Sequence, residues 1–176
     1  FANNKRELHT PADMVNLKMR TYGDLQMSLM RSLGADPTQL SWSELYSALQ
    51  TGAVDGNMNG YQTLYSGSLH EVQPYITEVN ATLSLYDFLA NQAAWDKLSP
   101  DTQALLQECA EEAAKWGRDY MSKTEAEVKK EMIDYGVKVY VPTAEELLAF
   151  KEGAAPTIEE YKKIVGPEAC AAWGVE

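Results

Sequence analysis

The feature that most constrains the fold of this chain is a run of about 35 residues, from Ser99 to about Tyr135, with almost no helix breaker. Ser99, Pro100 and Asp101 supply a cap, a proline in the first helical position and an acid in the first turn. After them, Gly117 is the only glycine and no further proline occurs. At 1.5 Å per residue the predicted helix is roughly 50 Å long, which is too long for one small domain.

Apolar and aromatic positions follow one face of this helix and leave two arrangements open. A coiled coil is one, although the face mixes alanine, cysteine, tryptophan and tyrosine where a coiled coil has a regular apolar seam. The other, which we favour, is a helix that lies across two lobes as their common spine. The residues of the face are Leu105, Cys109, Ala113, Trp116, Tyr120 and Val128.

Short apolar segments alternate with helical patterns in the first half of the chain. This alternation predicts βαβ units and an α/β fold, with a parallel or mixed sheet flanked by helices. The candidate strands lie within residues 16–22, 34–41, 53–59, 75–91 and 136–142.

Helix starts are marked by their first residues. Thr10 and Pro11 predict one helix, and Ser41 and Thr143 each precede a glutamate by three residues, which is typical of a capping box. The "GAAPT" stretch at 153–157 predicts a break between two helices, and the tail that begins at Gly166 fits a further short helix.

The composition indicates a folded protein that does not bind nucleic acid. Apolar residues make up 45% and charged residues 23% of the 176 residues, as in ordinary globular proteins. The net charge of −11 is unsuited to a phosphate backbone, whereas one buried arginine can still hold a small anion at short range. No run is long and apolar enough to span a bilayer. We expect any secretion signal to have been removed from this chain or to be lacking altogether.

Nothing in the sequence points to catalysis, a cofactor or a metal. His9 and His70 are isolated, and nucleophile-elbow, P-loop and dinucleotide-binding motifs are missing from the sequence. Cys109 and Cys170 fit no metal-ligand spacing. We expect Cys109 to be a small core residue, and a disulfide between the two cysteines in an oxidising compartment stays open.

Arg20 is the first candidate binding residue. It ends the predicted strand just before Tyr22, and ligands of open α/β sheets lie at the carboxyl ends of strands. An arginine there suits a carboxylate, because its guanidinium donates two parallel hydrogen bonds. A salt bridge to one of the many acids is an equally good explanation from the residues alone.

The segment "SWSELYSALQTGAVDGNMNGYQ" (41–62) supplies the other candidates. A helix over 42–51 ends at Gly52, and a strand then leads to Asn57 and Asn59. An asparagine suits a polar ligand but also an Asx-turn, and the residues alone favour the turn. We expect only one of the two asparagines to point into a crevice. Trp42 could stack on a ligand or be half-buried for structural reasons.

Four blocks of sequence together resemble the TRAP transporter (tripartite ATP-independent periplasmic) solute-binding proteins of the dicarboxylate-binding type. The similarity runs from about Lys5 to about Tyr161. The blocks are "TPADMVNLKMRTYG", "LGADPTQLSWSELYSALQTGAVDGNMNG", "LYSGSLHEVQPYIT" and "FLANQAAWDKLSPDTQALLQECAEEAA".

The resemblance implies a periplasmic binding protein that performs no chemistry. Such proteins hold a small organic acid between two α/β lobes and deliver it to a membrane permease. It implies that Arg20 pairs with the ligand carboxylate, that Asn59 assists it and that Trp42 packs against the ligand. Tyr22 and Asn57 complete the candidate set, with Asn57 left undecided. This chain has "DGNMNG" where the family often has "DGQENP", so the resemblance does not identify the acid.

The resemblance also implies a division of the chain. We expect residues 1–80 to form the α/β core of the second lobe and 81–99 to return to a first lobe that this chain largely lacks. Residues 100–136 would be the spine helix, and 137–176 a strand and helices that pack on the second lobe. Weak or no ligand binding by this chain alone is expected, with self-association through the exposed surface as one consequence. The alternative function is an orphan lobe or scaffold that acts through its long helix.

Overall fold

The computed structural model of the chain describes residues 1–82, 85–172 and 174. These residues form two compact units: residues 1–81 together with 131–176, and residues 82–130. The first unit contains the sheet, and the second contains most of the long helix.

The sheet of the first unit has six strands in the order β3-β2-β4-β1-β5-β6. Strand β2 pairs in parallel with β3 and β4, and β5 pairs in parallel with β6. Strand β1 runs antiparallel to both β4 and β5, so the other five strands all point the same way. The strands are β1 (Ala2–Asn3), β2 (Lys18–Thr21), β3 (Asp36–Gln39), β4 (Gly56–Asn57), β5 (Tyr75–Thr77) and β6 (Lys138–Tyr140).

This mixed sheet flanked by helices confirms the predicted α/β class. The sequence pattern missed β1, because two residues are too few to show a period of two. The strand predicted over 75–91 is too long: β5 ends at Thr77, residues 85–91 form no strand, and residues 83 and 84 lie outside the described part.

Seven α-helices accompany the sheet in the described residues. Two 3₁₀ turns, Pro11–Met14 and Leu69–Glu71, complete the elements. The α-helices are α1 (Asp24–Ser32), α2 (Trp42–Thr51), α3 (Tyr61–Ser66), α4 (Gln92–Trp95), α5 (Pro100–Tyr135), α6 (Ala144–Gly153) and α7 (Ala155–Ala172).

The helix ends confirm some of the predicted signals and correct others. Gly52 ends α2 in the left-handed conformation (φ 74°). At α6 the capping box is complete: the Glu146 N–H donates to Thr143 Oγ1 and the Thr143 N–H donates to Glu146 Oε2. Ser41 caps α2, but its hydroxyl donates to the Glu44 carboxylate, so the predicted box is not formed. After Thr10 the chain makes only the 3₁₀ turn, not an α-helix.

The carboxyl-terminal helices break where the sequence indicated. Helix α6 ends at Gly153 and α7 begins at Ala155. The predicted short tail helix is present: helical geometry is interrupted at Gly166 (φ 82°, ψ 169°), so α7 consists of two helical segments, and the second extends to Ala172. Residues 173, 175 and 176 of the tail lie outside the described part.

The main apolar core of the first unit joins the sheet to α1 and α6. Helix α1 also contacts α7, where Thr157 Oγ1 lies 2.6 Å from Ser32 Oγ. Burial of these side chains provides most of the stabilisation of this unit. The core residues are Phe1, Leu8, Met14, Leu17, Met19, Leu29, Met30, Leu33, Ala35 and Phe150.

The long helix is present as α5, 36 residues in one piece. Most of its predicted apolar face is accessible, with Trp116 67% and Leu105 59% exposed, and of that face only Val128 is buried. The prediction that Cys109 is a core residue is wrong: it is exposed, because the side chains along this stretch of α5 stay accessible. In the described part both cysteines are free.

We expect Gly56→Ala to lower the free energy of unfolding by about 1–3 kcal/mol. A Cβ at Gly56 would lie 2.4 Å from the carbonyl oxygen of Ala2 and 2.7 Å from Met19 Sδ, so β1 would be pushed away from β4. The matched control is Gly117→Ala on α5, where a Cβ meets nothing within 4 Å. That change should stabilise the helix by about 0.5–1 kcal/mol. Urea unfolding measures the free energy of unfolding of both variants. A Gly56→Ala protein as stable as the wild type would contradict the close pairing of β1 and β4.

We expect Glu146 to make stability depend on pH in the acid range. The Thr143 N–H, followed by the Tyr140 hydroxyl, lowers the pKa of Glu146 from 4.5 to about 2. Because the folded pKa lies below the unfolded one, this contribution is complete above about pH 4.5 and is lost as the pH falls through 2. The melting temperature of Glu146→Gln should therefore fall less between pH 5 and 2 than that of the wild type. Parallel curves for the two proteins would show that the carboxylate has no such role.

Candidate functional site

The carboxyl ends of three parallel strands meet at one edge of the sheet and gather the predicted binding residues there. Strand β2 ends at Thr21, β3 at Gln39 and β4 at Asn57. The chain that leaves these strands carries Tyr22, Trp42 and Asn59. Such an edge is where open α/β sheets bind their ligands.

Arg20 is a buried cation without an acidic partner. The residue is only 6% exposed, and its Nε donates to the carbonyl oxygen of Leu40 at 2.9 Å. In the described part of the chain this is its only side-chain hydrogen bond, and no carboxylate forms a salt bridge with it. Burial lowers the pKa of the guanidinium below its usual value. The salt-bridge explanation for Arg20 therefore finds no support.

Two aromatic rings lie against the Arg20 guanidinium. Its Cζ is 5.4 Å from the centre of the Tyr22 ring and 5.9 Å from that of Trp42, within the range of cation–π attraction. Tyr22 is 65% and Trp42 44% exposed, so both rings also present surface to solvent. The Trp42 indole rests over Gly67, where a Cβ would lie 2.9 Å from Cζ2.

Asn57 and Asn59 both have unsatisfied amide groups. Asn57 is fully buried, and within the described residues neither its Oδ1 nor its Nδ2 has a hydrogen-bond partner. Asn59 is half-buried, and its Nδ2 also lacks a partner among those residues. The Asx-turn interpretation is therefore wrong for Asn57, since such a turn requires a side-chain hydrogen bond to the backbone.

Strand geometry does not support the expectation that only one of the two asparagines points into a crevice, because side chains two positions apart on a strand share a face. Strand β4 ends at Asn57, so strand geometry does not place Asn59. Register does place Asn57: Met19 of β2 pairs with Gly56 of β4, so Arg20 and Asn57 are adjacent on one face of the sheet.

Two residues near this edge were missed by sequence reasoning. Thr21 is fully buried with an unpartnered Oγ1 in the described structure, and it lies on the opposite face of β2 from Arg20. Gly67 is the other residue, and the Trp42 indole packs against its backbone. The only signal for either was its residue type, a hydroxyl at a strand end and a glycine after a short helix.

A polar cavity of about 620 Å³ lies where β2 and β4 begin, at the other end of these strands from Arg20. Its cations are already satisfied. Lys5 Nζ lies 3.3 Å from Asp55 Oδ1, and Arg6 donates to the carbonyl oxygens of Asp13 and Val15. This cavity therefore lacks the unpaired cation that distinguishes Arg20.

Among the described residues, no group of three or more histidine, cysteine, aspartate or glutamate side chains could hold a metal ion. No helix in that part is long and apolar enough to cross a bilayer.

Comparison with known proteins gives consistent matches along the chain. The family model for bacterial extracellular solute-binding protein, family 7 (DctP), matches residues 1–164. The C4-dicarboxylate-binding periplasmic protein DctP of Rhodobacter capsulatus is 31% identical over 167 residues, which cover 94% of this chain and 50% of that protein. The chain spans about half the length of the curated relatives it matches.

Solved structures match the fold over the same extent. The ectoine-binding protein of the TeaABC TRAP transporter of Halomonas elongata superposes with a TM-score of 0.84 at 29% identity, over 94% of this chain and 54% of that one. A TRAP periplasmic solute-binding protein from Shewanella oneidensis with bound succinate gives 0.83 at 26% identity, with the same coverage of 94% and 54%. These relatives are solute-binding proteins of transport systems and not enzymes. The chain belongs to the bacterial extracellular solute-binding protein family 7, the DctP family of TRAP transporter solute-binding proteins.

Proposed function

We propose that this chain is part of the periplasmic solute-binding subunit of a TRAP-type secondary transporter. It binds a small organic acid through the acid's carboxylate and delivers the acid to the membrane permease. Relatives support this class of ligand, since one is named for C4-dicarboxylates and another has succinate bound. Others are named for ectoine and 2,3-diketo-L-gulonate, so family membership leaves the acid itself open.

The observation that carries the proposal is the unpaired Arg20. A buried charge is costly unless it is paired and hydrogen-bonded, and the single bond to Leu40 leaves both terminal nitrogens of the guanidinium without a partner in the described residues. A carboxylate supplies what is missing, because it accepts two parallel hydrogen bonds and neutralises the charge. A scaffold that bound no ligand would gain nothing from keeping this cation unpaired.

Trp42 and Tyr22 complete the carboxylate site. Their rings hold the guanidinium plane by cation–π contact and keep bulk water away from part of it. A carboxylate on Arg20 would meet a less polar surrounding than water, where its attraction to the cation is stronger. The exposed parts of both rings can pack against the carbon skeleton of the acid.

Asn59 is the remaining polar contact that we assign to the carboxylate. Its unpartnered Nδ2 is a donor, which matches an acceptor such as a carboxylate oxygen. It lies in the loop between β4 and α3, and α3 is held to the end of β5 because the Tyr61 hydroxyl donates to Glu78 Oε1 at 2.6 Å.

We further propose that the binding residues belong to one lobe of a two-lobed protein. In this division residues 1–80 and 137–176 form the lobe, 81–99 lead towards the other lobe, and 100–136 are the helix shared by both. Support comes from the first compact unit, which contains all five candidate residues, and from the half-length match to the relatives.

We expect Arg20→Ala to weaken acid binding by about 2–4 kcal/mol, or about 30- to 1,000-fold in Kd, because the carboxylate loses its charged partner. The measurement is calorimetric titration of the full gene product that contains these residues, with succinate, L-malate and D-glucuronate. Arg20→Lys keeps the charge but not the two-pronged geometry, so its affinity should lie between those of Arg20→Ala and the wild type.

The control for this prediction is Arg31→Ala, which removes an exposed arginine from α1 in the same unit. Its affinity should equal that of the wild type. If Arg20→Ala binds an acid as tightly as the wild type does, Arg20 is not the carboxylate partner. If the wild type binds none of the three acids, the proposed ligand class itself is wrong.

We expect Gly67→Ala to displace the Trp42 indole, since the new methyl group would lie 2.9 Å from Cζ2. Loss of the ring from the guanidinium should weaken acid binding by about 0.5–1 kcal/mol and shift the tryptophan fluorescence of the ligand-free protein. Gly60→Ala is the matched control, because a Cβ there meets nothing within 4 Å. Equal affinities of the two variants would show that Trp42 does not support the site.

A further inference from the structure

Asn57 is a polar side chain that the protein leaves without partners. It is 0% exposed, and within the described residues both Oδ1 and Nδ2 lack a hydrogen bond. Its backbone is occupied in the sheet, where Asn57 pairs with Ala2 of β1. Burying an unsatisfied amide is unfavourable, and an apolar side chain of the same size would avoid that cost. The position therefore calls for a partner that is present only part of the time.

The register of the sheet places this amide beside the carboxylate site. Strands β2 and β4 are neighbours about 4.8 Å apart, and the pairing of Met19 with Gly56 makes Arg20 and Asn57 adjacent on one face. The Arg20 side chain is long and reaches the aromatic rings at the edge of the sheet, whereas Asn57 is short and stays close to the strand. An acid whose carboxylate lies on Arg20 and whose carbon chain extends along this face of the sheet has the Asn57 position next to it.

The hydrogen-bonding needs of Asn57 restrict what that carbon can carry. The amide offers both a donor and an acceptor. A carboxylate or a ketone oxygen would satisfy Nδ2 alone, because neither donates, and an ammonium group would satisfy Oδ1 alone. A hydroxyl donates and accepts, so it can use both atoms of the amide. For Asn59 the buried unpartnered atom is the donor Nδ2, which a carboxylate oxygen can satisfy.

We propose that Asn57 is a specificity-determining residue that selects 2-hydroxy acids, in which the hydroxyl lies on the carbon next to the carboxylate held by Arg20. This inference rests on the proposed function, because it takes Arg20 as the carboxylate partner. Asn59 then contacts the carboxylate and does not distinguish hydroxy acids from their deoxy analogues.

The test is calorimetric titration of the full gene product with matched acid pairs. Each pair differs only by the 2-hydroxyl: L- and D-malate against succinate, L- and D-lactate against propionate, and D-gluconate against 2-deoxy-D-gluconate. In at least one pair the hydroxy acid should bind about 10-fold or more tightly, since a deoxy analogue leaves the buried amide unpaired. This comparison uses the wild type and depends on no variant.

Variants then assign the selectivity to Asn57. Asn57→Leu keeps the branched shape and the number of heavy atoms and removes both polar atoms, so the two members of the pair should bind within about twofold of each other, with the deoxy acid bound at least as tightly as by the wild type. Asn57→Asp is nearly isosteric and places a carboxylate beside Arg20, so both acids should bind weakly or not at all. Asn59→Ala is the matched comparison and should weaken both members by the same factor.

The outcomes separate this inference from the proposed function. If hydroxy and deoxy acids bind the wild type equally well, the inference is overturned and the carboxylate-binding function stands. A hydroxyl preference that survives in Asn57→Leu also overturns it, because the selectivity then lies elsewhere. If the wild type binds no acid of any pair, the proposed function fails and the inference fails with it. Should Asn57→Leu not fold, the wild-type comparison and Asn57→Asp decide the question.

Discussion

The site depends on one interaction that the protein leaves incomplete, the pairing of the Arg20 guanidinium. Strand β2 holds Arg20 between β3 and β4, and the bond from Nε to the Leu40 carbonyl fixes the side chain against the end of β3. The aromatic rings of Tyr22 and Trp42 then lie at the guanidinium because both follow directly from those strand ends. A helix-flanked parallel sheet thus converts three separate segments into one cationic, partly dry surface. Under the proposed function, the cost of burying the charge is offset when an anion binds, which would couple the stability of this edge to ligand binding.

Much of the fold could be predicted because its longer elements carry strong local signals. Helix α5 was recognisable from a proline near its start and from the lack of breakers, and α2 from the glycine that ends it. Strand β1 has two residues, so no period can be read from it, and it exists because tertiary pairing holds it; the equally short β4 lies within the predicted strand segment 53–59. For Cys109 the sequence predicted too much: a helical pattern indicated a buried face. Burial depends on what packs against the helix, and the side chains around Cys109 on α5 stay accessible.

The residues of the candidate site also fall into two groups: those that local sequence signals predict and those that depend on contacts distant in sequence. Arg20, Tyr22 and Trp42 could be proposed from sequence because each stands at a recognisable strand end or helix start. The choice between Asn57 and Asn59 could not, since it depends on register across β2 and β4, which no local pattern contains. The family pattern favoured Asn59, and the unsatisfied amide of Asn57 became visible only once its burial and its missing partners were known. Burial and missing partners within the described residues therefore supply the basis for the Asn57 proposal, which residue type alone does not.

The acidic character of the chain is compatible with an anionic ligand for a physical reason. The net charge of −11 is spread over a surface in contact with water and salt, where each charge is screened within about 10 Å. Arg20 acts over a few ångströms in a surrounding that excludes much of the water, so its attraction to a carboxylate is weakened far less. The acidic surface therefore repels polyanions at a distance, whereas under the proposed function the buried Arg20 selects a small anion at short range. Under the proposed function, a small acid with its carboxylate on Arg20 and a polar substituent on Asn57 would satisfy both conditions, because it is too small to meet much of the repelling surface and large enough to reach the two unsatisfied side chains.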